Sequence, residues 1–66
     1  MQFAEALRKA MGGMTQPELA ELSGVPQQSI SSYLRGSKIP KLSNLEMLER
    51  VLPDLYSLRM HGSAAA

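Results

Sequence analysis

The chain has no cysteine and no tryptophan, one phenylalanine and two tyrosines among its 66 residues. Without cysteine, neither a disulfide nor a thiolate metal site can supplement the core, and the redox compartment is left open. The single histidine, His61, has no ligand partner in view, so no metal site is expected. Scarce aromatics remove the stacking surface that single-stranded RNA recognition uses. No apolar run approaches the roughly 18 residues of a membrane span. The opening MQFAEALRKAMGG carries charges where a signal peptide needs an apolar stretch, so a soluble intracellular protein without a membrane partner is expected. No nucleophile stands with a base, and no ligand cluster or phosphate loop is present, Gly12-Gly13 lacking the lysine and spacing of the latter. The sequence therefore argues against an enzyme, a cofactor or a small-molecule ligand.

What is present is a globular composition, 44% apolar and 20% charged. A chain this short buries only about 60% of its unfolded surface and cannot divide its core, so residues 1–60 should form one domain. Residues 61–66 read as a flexible tail, and GSAAA also has the composition of a cloning remnant. The net charge is only +1, but it is unevenly distributed. Residues 1–23 hold Arg8 and Lys9 against Glu5, Glu18 and Glu21, and residues 44–66 hold Arg50 and Arg59 against Glu46, Glu49 and Asp54. Residues 24–43 hold Arg35, Lys38 and Lys41 with no acid, so the surplus positive charge is confined to that window.

The periodicity predicts an all-α bundle of five short helices. Phe3, Leu7 and Met11, with Ala4 and Ala10, share one face of a first helix that Gly12 and Gly13 end. Thr15-Gln16-Pro17-Glu18 has the form of a capping box and opens a second helix, Gln16 to Ser23, predicted to bury Leu19, Ala20 and Leu22 before Gly24 stops it. Val25 is the apolar plug of the turn. A third helix, from about Pro26 or Gln27 to Arg35, turns Ile30, Tyr33 and Leu34 inward. Its opposite side carries Gln28, Ser31, Ser32 and Arg35, with Gln27 at the margin and no carboxylate. Residues 37–42 read as a loop held out of helix by Pro40. Ser43-Asn44-Leu45-Glu46 reads as a second capping box, opening a helix with Leu45, Leu48, Val51 and Leu52 inward and Glu46, Glu49 and Arg50 outward. Pro53 ends it, and Asp54 is expected to cap a short fifth helix bearing Leu55, Tyr56, Leu58 and Met60. Met11, Met14 and Met47 read as core filler.

The outer face of the third helix has the chemistry of a base reader. A glutamine amide can donate to N7 and accept from N6 of adenine, an arginine can fork onto O6 and N7 of guanine, and serine can serve in either sense. Gln16 to Arg35, QPELAELSGVPQQSISSYLR, resembles the twenty-residue helix-turn-helix signature of the phage Cro and CI repressor family, also called the xenobiotic-response-element type. The resemblance rests on Ala20 at the fifth position, Gly24 at the ninth and Val25, Ile30 and Tyr33 at the apolar positions, and it extends from Leu7 to Leu52.

That resemblance implies a lambda-repressor-like domain with its third helix in the major groove of double-stranded DNA. Carried over by position, Gln27, Gln28, Ser31, Ser32 and Arg35 would meet base edges, while Gln16, Lys38, Lys41 and Asn44 would contact phosphates. The implied function is a sequence-specific transcriptional regulator, a repressor, acting as a homodimer on a pseudo-palindromic operator through a surface including Leu55, Tyr56 and Leu58. Two residues depart from the family pattern. Pro26 stands where a capping hydroxyl is usual, and Leu34 where many relatives have a glutamate, which would free Arg8 and Lys9 to face solvent or phosphate. The competing reading is a helical protein-interaction module, an antitoxin, antirepressor or adaptor. The low net charge favours that reading and the acid-free outer face opposes it.

Overall fold

Three of the helix boundaries are set by glycines and one start by a reciprocal cap. The computed structural model describes the backbone of residues 2–65 and the side chains of residues 2–60. Its helices are α1 (Phe3–Met11), α2 (Gln16–Ser23), α3 (Gln27–Arg35), α4 (Leu42–Val51) and α5 (Pro53–Ala65), with no strand among the described residues. At the start of α2 the Thr15 hydroxyl accepts from the Glu18 amide at 3.3 Å. The Glu18 carboxylate in turn accepts from the Thr15 amide and hydroxyl, both at 2.9 Å. Hydrogen bonds to the ionised form hold the Glu18 carboxyl below its ordinary value, the Thr15 backbone contributing most. Gly24 ends α2 in the left-handed conformation, φ 82° and ψ 1°, with its N–H on the Ala20 carbonyl. A Cβ there would meet open space, so the backbone dihedral rather than crowding calls for glycine.

Each helix and the α2–α3 turn sends apolar side chains to one core. Leu7, Leu19, Ile30, Leu48 and Leu55 are fully buried, Val25 closes the turn, and Ala6, Tyr33 and Leu52 complete the cluster. α1 lies against α3 and α5, α2 against α3 and α4, and α4 against α5. The Phe3 ring meets Tyr33 edge to face, 6.0 Å between centroids and 81° between planes, an arrangement favoured by the ring quadrupoles.

Several expectations are corrected. Leu22 is 63% exposed, because α2 reaches the core through Leu19 and partly through Ala20, and Val25 fills the space beneath the turn. The second capping box does not form. α4 starts at Leu42 with Lys41 as its N-cap residue, so Ser43 already lies inside the first turn. Pro40 restrains only the residue before it, and Lys41, extended at ψ 162°, accepts from the Leu45 amide and lets the helix begin at once. Glu49, expected outside, is half-buried and pairs with Arg59 at 2.9 Å, joining α4 to α5. Met47 is exposed instead of filling the core. α5 is longer than the short helix expected and holds Asp54 within its first turn, where an acid suits the helix dipole. The expected tail, 61–66, falls on residues whose side chains lie outside those described.

Two measurements test this packing. Leu19→Ala or Leu48→Ala should each lower unfolding stability by roughly 2–5 kcal/mol in denaturant titrations, whereas Leu22→Ala should change it by about 0.5 kcal/mol or less. Because the folded-state pKa of Glu18 is depressed, its stabilisation is present above the ordinary value of 4.5 and is lost as pH falls through the folded value. Thermal unfolding midpoints of the parent should therefore fall more steeply on acidification than those of Glu18→Gln.

Candidate nucleic-acid interface

α3 is amphipathic in a demanding sense, since burial of Ile30 and Tyr33 on one side fixes the direction of every side chain on the other. Gln27, Gln28 and Arg35 are exposed, and Ser29, Ser31 and Ser32 are half-exposed. Residues three and four apart are neighbours on a helix, and Arg35 uses both spacings. Its Nη1 donates to the Ser31 hydroxyl at 3.1 Å and its Nη2 to the Ser32 hydroxyl at 3.4 Å. An open recess of about 410 Å³ gathers Gln28, Ser29, Ser31, Ser32, Arg35 and Lys38, with no carboxylate in its lining. Four of the five expected base readers meet there, and Gln27 stands outside it. Ser29 and Lys38 were not expected in this company. The signal for Ser29 was its position one residue beyond Gln28, and for Lys38 its two-residue distance from the glycine that ends α3.

Both ends of α3 are shaped by local chemistry. Pro26, at φ −56° and ψ 140°, supplies only its carbonyl, which accepts from the Ser29 and Ile30 amides at 3.0 and 3.1 Å. No side-chain oxygen caps this end, as the sequence implied. At the other end Gly36, φ 76°, donates to the carbonyls of Ser32 and Tyr33. Ser37 returns its amide and hydroxyl to the Ser32 carbonyl at 3.0 and 3.2 Å. Arg8 is not free as expected: its Nη2 donates to the Leu34 carbonyl at 3.0 Å. With no carboxylate at position 34, the guanidinium takes a carbonyl at the C-terminus of α3, where the helix dipole favours a cation.

Around this face, Lys38 and Lys41 are exposed, and Gln16 is half-buried beside Arg8, Thr15 and Leu34 in a shallow depression. The Asn44 amide nitrogen donates to the Tyr33 hydroxyl at 3.0 Å, so this residue holds α4 to α3. Of the three residues expected at a dimer surface, Leu55 is fully buried within the chain. It anchors α5 to the core and cannot face a second copy. Leu58 is half-buried against the same core, and Tyr56 is 54% exposed beneath the Arg59 guanidinium, 5.6 Å from the ring centroid. Among the described residues no helix is long and apolar enough to cross a membrane, and no three acids or histidines cluster as metal ligands.

A family model described as helix-turn-helix matches residues 5–55, well over half of the chain. No curated protein and no solved structure matches it. The match runs from α1 into the first turn of α5 and has at its centre the α2–Gly24–α3 unit whose outer face is described above. The chain belongs to the Cro/CI-type helix-turn-helix family of DNA-binding transcription regulators.

Proposed function

We propose that this protein is a sequence-specific repressor that reads double-stranded DNA by laying α3 in the major groove. The observation that carries the reading is the acid-free outer face of α3, where Arg35 and Lys38 share one recess with Gln28, Ser31 and Ser32. A groove lined by phosphates and base-edge acceptors is matched by donors without competing carboxylates. Gln27 and Gln28, at the start of the helix, have the amides to pair with adenine, and Arg35 has the fork to pair with guanine. Gln16, Lys38 and Lys41 flank this face and suit the phosphate backbone. Asn44 contributes there through the amide atoms it does not use on Tyr33.

One domain of this size covers too little DNA for tight specific binding, so two copies are proposed on half-sites about one helical turn apart. Exposed Tyr56, with the edge of Leu58, is the surface offered to the second copy. Repression then follows from occupancy of the operator in the cytoplasm of the cell.

Selection of ligands from random duplexes is the direct test. A recovered pseudo-palindromic consensus supports the reading. Absence of enrichment at low salt would sink it in favour of a protein-interaction module, which the net charge of +1 otherwise fits. On the recovered site, Gln28→Ala should cost about 1–3 kcal/mol and relax the choice at one base pair. Lys41→Ala should instead weaken all duplexes alike and lower the slope of log affinity against log salt by about one. Equal losses on specific and random DNA for Gln28→Ala would remove its base-reading role. Tyr56→Ala should leave half-site binding intact and reduce binding to the full site.

A further inference from the structure

We infer that Ser31 and Ser32 serve chiefly as positioning residues for Arg35, and that the unit they form selects a guanine in each half-site. The inference rests on the major-groove reading above and assigns the base chemistry of that same face.

Both serine hydroxyls accept a hydrogen bond from the guanidinium, at 3.1 Å from Nη1 and 3.4 Å from Nη2. Spacings of four and three residues bring both oxygens under the arginine without distortion of the helix. An oxygen accepting from arginine keeps its own O–H, so the serines are still able to offer a donor to the groove. Arg35 and Lys38 are donors only, and no carboxylate lines the recess. All six lining residues are therefore able to present hydrogen-bond donors, and the amide oxygen of Gln28 adds a side-chain acceptor. Guanine is the base whose major-groove edge offers two adjacent acceptors, N7 and O6. Adenine places a donor beside its acceptor, and cytosine presents a donor.

The identity of the holding groups matters as much as their position. A carboxylate at either serine position would orient the guanidinium but also neutralise it and compete with DNA for it. Neutral hydroxyls orient it while leaving its charge available. A long flexible side chain held beforehand loses less freedom on binding, and the benefit falls on the pairing that needs the fork correctly aimed.

The test measures discrimination between the selected site and the same site with the Arg35-facing base pair changed, across a double-mutant cycle. Ser31→Ala/Ser32→Ala should retain the fold, since alanine favours an exposed helix, and should lose about three- to tenfold of the discrimination at that pair while keeping its affinity for random duplexes. Arg35→Ala should abolish discrimination at that pair. In the Arg35→Ala background the two serine changes should then have no further effect there, the coupling expected of residues acting through one another. Arg35→Lys should retain binding to random DNA but not the preference for guanine.

Additive losses would make the serines independent base readers and overturn the inference, as would unchanged discrimination in the serine variant. Arg35→Ala weakening every duplex equally would make the arginine a phosphate contact, with the same consequence. A consensus without guanine at the Arg35-dependent position defeats this inference alone, whereas no consensus for the parent protein defeats the major-groove reading with it.

Discussion

The left-handed turn at Gly24 followed by the buried Val25 is the constraint on which the rest of the molecule depends. It ends α2 after eight residues and redirects the chain, and burial of Val25 fixes how far α3 is carried before it begins. Once that direction is set, α3 has little freedom. Ile30 and Tyr33 occupy the core, the Tyr33 and Phe3 rings meet edge to face, and the Tyr33 hydroxyl accepts from the Asn44 amide of α4. A nine-residue helix thus serves as the hub of the core on one side and carries the proposed DNA-facing surface on the other. Displacement of the outer face would require disruption of contacts with three other elements, which is how a small domain keeps a reading surface rigid.

Electrostatics reinforce this division. The protein carries a net charge of +1, too little to be drawn to DNA by bulk charge alone, so placement decides. Two of the acids are already engaged, Glu18 by the Thr15 cap and Glu49 by Arg59. Arg8 is committed to the end of α3. What remains beside the outer face is Arg35, Lys38 and Lys41, in a stretch without a negative side chain. On the proposed DNA-binding reading, so few cations imply a shallow salt dependence and a larger share of binding carried by base edges.

Much of this architecture was legible in the sequence because its signals are local. Glycine at a helix end, a threonine and a glutamate three residues apart, and the helical spacing of Phe3, Leu7 and Met11 along α1 each act within a turn or two of helix. The misreadings share the opposite property. Periodicity says which residues of a helix share a side, but not which neighbour covers that side. Leu22 is therefore exposed although it lies near Leu19 on the wheel, and Leu55 is core although it sits beside exposed Tyr56. The pattern at Ser43 was a valid capping signal that lost to an earlier start at Lys41, where only the backbone conformation was required. The Arg8 to Leu34 bond, 26 residues apart in sequence, had no local signal at all. Within the site, the side of α3 was readable, whereas the holding of Arg35 by two serines required coordinates.

The two ends of α3 consequently differ in kind. The C-terminal end is secured by Gly36, by the amide and hydroxyl of Ser37 and by Arg8, and it carries an arginine already held by its neighbours. The N-terminal end has a proline in place of a capping hydroxyl, and Gln27 and Gln28 are exposed there with no side-chain hydrogen bond among the described residues. An ordered donor pays a smaller entropic cost when it pairs and is less able to adapt to a wrong partner. Free amide side chains adapt more readily and discriminate less. If α3 reads DNA as proposed, a change of the base facing Arg35 is therefore more disruptive to an operator than a change opposite the glutamine end.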